Sequence, residues 1–234
     1  MNTFRKCLSE LNIVISDDQL DMFDHYYDLL VFWNKKFNLT SITDKEDVFI
    51  KHFADSITFL KYIDPAGKCL LDVGTGAGFP GVPLKIMSGS CNVVLLDSLG
   101  KRICFLNELI RELGLSDIIA VHSRAEDLAR DFSYREQFDI VTSRAVANLS
   151  TLSEYCLPFV KCGGIFVSYK GDDIDEEIIS SSNSINILGG CINCVKKFSI
   201  PYTDYGRSLI IVDKIENTAD IYPRKAGVPS KKPL

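Results

Sequence analysis

The stretch LLDVGTGAGFPG, residues 70–81, sets a carboxylate and four glycines at the end of an apolar run. Asp72, Gly74, Gly76 and Gly78 form a D-x-G-x-G-x-G series. Gly76, Gly78 and Gly81 satisfy the overlapping G-x-G-x-x-G spacing of a dinucleotide site. Either register describes a strand that ends in a tight turn and opens a helix, where backbone N–H groups meet a nucleotide-like ligand. The dinucleotide register suits NAD, whose pyrophosphate needs free N–H groups. The first register suits S-adenosylmethionine (AdoMet), which has no phosphate. There Asp72 is placed for the α-amino group, directly or through water, and the glycines let the backbone pass close under the methionine part. The loop alone does not choose.

Further along, Asp97 ends an apolar run nineteen residues after Gly78 and can accept both ribose hydroxyls of either ligand. Ala125-Glu126-Asp127 lies just past the third strand, at the place for an adenine edge. Glu126 equally suits the first turn of a helix. Arg144 and Lys170 end the fourth and fifth strands, where open α/β sheets bind ligands. His25, His52 and His122 show no triad pattern and read as structural or surface residues. The eight cysteines lie mostly in apolar segments and read as free, buried thiols. Cys191 and Cys194 make a lone C-x-x-C without the second pair a zinc site needs, so no metal is expected.

The elements that must carry these residues are legible in the hydrophobic period. Residues 1–63 read as a helical extension. Ser16-Asp-Asp-Gln19 and Thr43-Asp-Lys-Glu46 fit capping boxes, each followed by an apolar helical stripe. Asn34 and Asn38 stand four apart, as capping or ligand residues. Residues 64–221 read as one α/β domain, in which β-branched runs alternate with helical patterns from Cys69 onward. Strands are expected at 69–73, 92–97, 117–123, 138–144 and 164–170. Helices are expected from about Pro80, at 100–113, over LSEYCLPFVKC and near 172–188, with SSSNS (180–184) as a loop. CVKKFSI and RSLIIVDKI, joined by IPYTDYG, close the chain as an antiparallel pair. The whole predicts an α/β fold: a Rossmann-like, seven-stranded, mostly parallel sheet of class I AdoMet-dependent methyltransferase type, with a C-terminal antiparallel hairpin and an N-terminal helical extension.

The chain has 234 residues and a net charge of −5, which argues against a uniformly basic nucleic-acid binder but leaves room for a local basic face. Its last stretch, 222–234, carries Arg224, Lys225, Lys231 and Lys232 and no acidic side chain. This reads as a solvated tail or a phosphate-contacting arm. No apolar run approaches the roughly 20 residues that span a bilayer, and the polar N-terminus lacks a signal peptide's apolar centre. A cytoplasmic protein without a membrane partner is expected.

Together, WNKKFNLTSI, HFADS, LLDVGTGAGFPGVPLKI, LLDSLGKRICFL, SRAED, SRAVANL, YKG and YPRKAGVPSKKPL, in this order, closely resemble the bacterial small-subunit rRNA methyltransferase G family (RsmG, formerly glucose-inhibited division protein B). The resemblance runs from about residue 20 to the C-terminus. It implies methyl transfer from AdoMet to N7 of a guanine in the 530 loop of 16S rRNA (guanine-527 in the family), with free 16S rRNA or the 30S subunit as partner. By matching positions it implies cofactor contacts at Gly74, Phe79, Ala125, Glu126 and Arg144. Asp72, Gly76, Gly78 and Asp97 join them from the ligand chemistry above. The tail then belongs to the RNA-binding surface, with Lys35, Lys36, Lys101 and Arg102 adding basic charge. A monomer is expected. The rival readings are an NAD-dependent Rossmann oxidoreductase and a non-catalytic rRNA-binding assembly factor.

Guanine N7 carries an exposed lone pair and no proton. Its methylation needs in-line placement rather than a general base. Arg144 and Lys170 are therefore positioning candidates, holding O6 or a phosphate. A donor on N7 itself would block attack.

Overall fold

The computed structural model describes residues 2–144 and 147–234; Ala145 and Val146, inside the SRAVANL motif, lie outside the described residues. Two helices open the chain, α1 (Asn2–Glu10) and α2 (Asp17–Phe37). Ser16 caps α2 with both halves of the capping box: its hydroxyl accepts from Gln19 N, and the Gln19 side chain accepts from Ser16 N. The expected second box shifts by one residue. Asp44, not Thr43, caps α3 (Lys45–Asp47): its carboxylate accepts from Asp47 N at 3.0 Å. From there the chain passes through a π-helical stretch (Val48–Ala54), α4 (Asp55–Ile57) and a 3-10 turn (Thr58–Lys61).

The remaining chain alternates: β1 (Cys69–Val73), α5 (Gly81–Ser88), β2 (Asn92–Asp97), α6 (Gly100–Glu112), β3 (Ile118–His122), α7 (Ala125–Leu128), β4 (Phe138–Arg144), α8 (Leu149–Cys156), β5 (Val160–Lys170), α9 (Asp175–Ile187), β6 (Gly190–Ser199), β7 (Gly206–Lys214) and α10 (Val228–Lys231). The seven strands form one sheet in the order β3-β2-β1-β4-β5-β7-β6. The first five are parallel; β7 runs antiparallel to both β5 and β6. Successive side chains on a strand face opposite ways, and the core divides accordingly. Leu70, Val93, Leu95 and Ile140 pack with α2, the π-helical stretch and α5. Leu71, Val73, Leu96 and Val141 pack with α8 and α9.

Three expectations are corrected. The helix read over LSEYCLPFVKC ends at Cys156. A 3-10 turn (Leu157–Phe159) holds Pro158, and β5 begins at Val160, which pairs with Phe138 across a register shift. The serines at 180–184 lie inside α9, where the hydroxyls of Ser181, Ser182 and Ser184 donate back to carbonyls three or four residues earlier. The cysteines are all free, but Cys104, Cys162 and Cys191 are exposed.

Candidate active site

The glycine-rich loop leaves β1 at the point where its neighbours β2 and β4 diverge, the switch point at which open α/β sheets bind ligands. Asp72 is fully buried beneath that loop and lines none of the three chambers above it. Its Oδ2 accepts from Thr75 Oγ1 at 2.7 Å and from Gly81 N at 2.8 Å. Burial raises its pKa to about 6, against the opposing pull of those hydrogen bonds. The geometry makes Asp72 a brace between strand and helix rather than a group presented to a ligand. Gly81 is required by the same contact, since a Cβ there would collide with Leu95 and sit 3.0 Å from the Asp72 carboxylate.

The helical extension clamps the loop from the other side. Tyr26 on α2 donates to Ala77 O, and its ring stacks on Phe79 at 5.5 Å between centroids. Gly78 has φ +101°, and a Cβ there would lie 2.6 Å from the Tyr26 hydroxyl. The loop amides are also engaged. Gly74 N and Thr75 N donate to Leu96 O, Gly78 N and Phe79 N to Thr75 O, Gly76 N to Asp97 Oδ2 and Gly81 N to Asp72 Oδ2.

Above the loop three chambers adjoin one another. The middle one, about 400 Å³, is lined by Thr40, His52, Gly74, Gly76, Phe79 and Arg144, with Asp97 at one end. A second, about 210 Å³, shares Gly74, Asp97 and Ser98 with it and adds Ala125, Glu126 and Gly227. The third, about 330 Å³, shares His52 and Arg144 and adds Asp55, Tyr169, Lys170 and Arg207. The predicted residues Gly74, Gly76, Phe79, Asp97, Ala125, Glu126, Arg144 and Lys170 thus line three neighbouring chambers that share walls. Asp72 and Gly78 support them from below.

Asp97, at the junction of two chambers, accepts from Gly76 N at 2.9 Å, Leu99 N at 2.9 Å and Arg102 Nη1 at 3.0 Å. A carboxylate offers about four acceptor positions, so one remains unless Arg102 moves away. That narrows the expectation of two ribose bonds. It also removes Arg102 from the surface cations: it faces the middle chamber.

Arg144 and Arg207 share one buried carboxylate. Asp55 Oδ2 accepts from Arg144 Nη1 at 2.9 Å and Asp55 Oδ1 from Arg207 Nε at 3.0 Å. The Arg144 guanidinium also lies 4.9 Å over the Phe79 ring, and His52 stacks on the same ring at 4.6 Å. Burial, then the neighbouring Arg144 charge, push the His52 pKa down to about 3, so the imidazole is neutral. Lys170 donates to Glu177 Oε1 at 2.6 Å and Ala147 O at 2.7 Å, which fixes its ammonium at the chamber wall.

The basic tail departs most from expectation. Residues 222–234 are folded onto α8 and over the small chamber. Gly227 N donates to Glu126 Oε1 at 3.0 Å, Thr151 Oγ1 to Pro229 O at 3.1 Å and Ser150 Oγ to Leu234 O at 3.0 Å. Arg224 is an anchor: its Nε and Nη2 grip the buried Glu154 carboxylate at 2.9 and 2.6 Å. Lys225, Lys231 and Lys232 are exposed, so the basic surface of the tail is these three lysines.

Sequence reading missed His52, Asp55, Thr40, Tyr26 and Arg207 as site residues. HFADS and WNKKFNLTSI were visible as motifs, but their roles depend on how the helical extension docks on the sheet. Asn34 illustrates this: its Oδ1 accepts from Thr40 N at 2.9 Å and so holds the segment that brings Thr40 to the middle chamber. Asn38 is the left-handed C-cap of α2.

The family model described as GidB, rRNA small subunit methyltransferase G, matches residues 19–204. Two curated relatives are each called Ribosomal RNA small subunit methyltransferase G. The one from Desulforamulus reducens is 48% identical over 99% of this chain and 97% of its own length. The one from Lactobacillus johnsonii is 49% identical over 99% and 98%. Among solved structures, M. jannaschii TYW2 in complex with AdoMet has a TM-score of 0.57 at 15% identity, covering 75% of this chain and 80% of that one. A SAM dependent methyltransferase from Aquifex aeolicus has a TM-score of 0.55 at 18% identity, covering 72% and 93%. These two likenesses concern the fold.

Proposed function

This chain belongs to the rRNA small subunit methyltransferase G family, and from that premise we propose that it methylates N7 of a guanine in the 530 loop of 16S rRNA, with AdoMet as methyl donor. Methylation of ribosomal RNA is the family's activity; the base and its N7 atom are the finer reading. The observation that carries the choice of donor is the engagement of the loop amides. A dinucleotide pyrophosphate needs free N–H groups at the helix N-terminus, whereas six amides of residues 74–81 already donate within the protein. A phosphate-free ligand fits that loop and NAD does not.

The remaining chemistry suits AdoMet. Glu126 and Ala125 line the small chamber as an adenine site, Asp97 stands at the junction for a ribose hydroxyl, and Gly74, Gly76 and Phe79 floor the middle chamber for the methionine part. Bound there, AdoMet supplies an electrophilic methyl group. The third chamber, joined through His52 and Arg144, is the place for the guanine. Tyr169 closes its buried end, and the buried Asp55 fixes both arginine forks. N7 needs no proton removed, so a neutral, stacked His52 is a wall rather than a base. The task of the chain is to orient the base and exclude water. Arg207 and Lys170 supply donors suited to O6 or a phosphate, leaving the N7 lone pair free. No helix among the described residues is long and apolar enough to cross a membrane, in keeping with work on ribosomal RNA in the cytoplasm.

The test is a 16S rRNA substrate carrying 7-deazaguanine at the loop guanine, presented free and in 30S particles. Methyl incorporation is expected with guanine and lost with the 7-deaza base. Undiminished incorporation into the 7-deaza substrate would refute the N7 assignment.

A further inference from the structure

Thr40 stands outside every motif residue assigned to the cofactor, on the segment that links α2 to α3, yet its side chain faces the middle chamber. Its hydroxyl oxygen is held twice. Ile42 N donates to it at 3.1 Å, and His52 Nε2 lies 2.9 Å away. The direction of the second bond follows from the far side of the ring. Nδ1 of His52 faces Arg144 Nη2 at 3.4 Å, and a guanidinium has only donors. Nδ1 must therefore present its lone pair, which leaves the ring proton of the neutral imidazole on Nε2. Nε2–H then donates to Thr40, as Ile42 N–H does. Both lone pairs of the Thr40 oxygen are filled, and its own proton has no acceptor among the described residues. Arg144, which starts this relay, opens onto the same chamber and carries a full positive charge beside it.

We propose that Thr40 Oγ–H and the Arg144 guanidinium together form the receptor for the α-carboxylate of the methionine part of the cofactor. An anion is the ligand group such a pair selects: one donor whose direction is fixed by the His52 tautomer, and one cation held in place by Asp55. The relay makes His52 a positioning residue that turns the hydroxyl outward. This rests on AdoMet being the cofactor, and the ligands of the test separate the two claims.

Two ligands that differ by one group decide it: S-adenosylhomocysteine, and 5′-deoxy-5′-(3-aminopropylthio)adenosine, which keeps the amine and lacks the carboxylate. Their affinities are measured by calorimetry for the wild-type chain, Thr40→Val and Thr40→Ser. Thr40→Val should weaken S-adenosylhomocysteine about tenfold, the scale of one hydrogen bond to a charged group, and leave the decarboxylated ligand unchanged. Thr40→Ser should restore the carboxylate preference. Equal weakening of both ligands would mean that Thr40 only shapes the loop, and unchanged affinity for both would mean that the hydroxyl does not reach the carboxylate; either overturns the inference. Failure of the wild-type chain to bind S-adenosylhomocysteine would instead reject the AdoMet reading itself.

Discussion

The Arg224 guanidinium closes on the Glu154 carboxylate with Nη2 to Oε2 at 2.6 Å, and Arg224 N donates to Glu154 Oε1 at 2.7 Å. Glu154 is fully buried on α8, so this pair fastens the tail to the sheet domain. Removing one partner of a buried pair leaves the other charge uncompensated, at about 3–5 kcal/mol. Arg224→Ala should therefore lower the folding stability of the whole chain, measured by urea denaturation. A stability within about 0.5 kcal/mol of wild type, the range of ordinary surface changes, would show that the tail is free.

The exposed lysines behave differently. Replacing Lys225, Lys231 and Lys232 together by alanine should leave unfolding and S-adenosylhomocysteine affinity unaltered while weakening RNA binding. Each phosphate contact contributes roughly 0.7–0.9 to the slope of log affinity against log salt. Loss of all three should flatten that slope by about 2–3, measured by filter binding over a salt series. An unchanged slope would place the RNA elsewhere.

Asp72 gives a pH signature. Its folded pKa, raised to about 6 by burial, stands above its ordinary value of 3.8. The native state then binds more protons than the unfolded state between about pH 4 and 6. Stability from this group falls as pH rises through that window and the penalty is complete above it, at about 3 kcal/mol from 1.36 kcal/mol per unit. Asp72→Asn removes the titration. The wild-type minus variant difference in unfolding free energy should therefore fall between pH 4 and pH 7, and a flat difference would assign Asp72 an ordinary pKa.

Gly78→Ala should be severe. The substitution combines a φ of +101° with a Cβ 2.6 Å from the Tyr26 hydroxyl and 2.8 Å from Val82. Backbone strain of about 1–3 kcal/mol adds to overpacking of about 1–3 kcal/mol. Thermal unfolding should fall by many degrees, and a double variant with Tyr26→Phe should recover part of the loss, because the blocking hydroxyl is gone. No recovery would put the cause in the backbone conformation and the Val82 contact instead.

The strands at 69–73, 92–97 and 138–144 were legible to the residue, because continuous apolar runs between turn signals leave few alternatives. The end of α8 was not, since LPFV is apolar enough to continue a helix and only its pairing with β4 makes Val160 a strand residue. The lower half of the site was legible as types and order: Asp72, the glycines, Asp97, Glu126 and Arg144. Their roles were less so. A carboxylate in front of a glycine loop reads as a ligand group, and only burial under Gly81 reveals a brace. Four basic residues in a tail read as one patch, and only the buried Glu154, seventy residues earlier, separates Arg224 from the lysines. His52 was visible only as the first residue of HFADS, and its role was not legible, because its partners Thr40, Phe79 and Arg144 come from three separate segments.

The most direct test is methyl transfer from labelled AdoMet to 16S rRNA and to 30S particles from a strain lacking the corresponding gene, with the modified nucleotide mapped by nuclease digestion and mass spectrometry. The expected result is a single 7-methylguanosine in the 530 loop, lost with Arg144→Ala. No incorporation into either substrate, or a methyl group on a different base, would contradict the assignment of the three chambers as adenine, methionine and guanine sites.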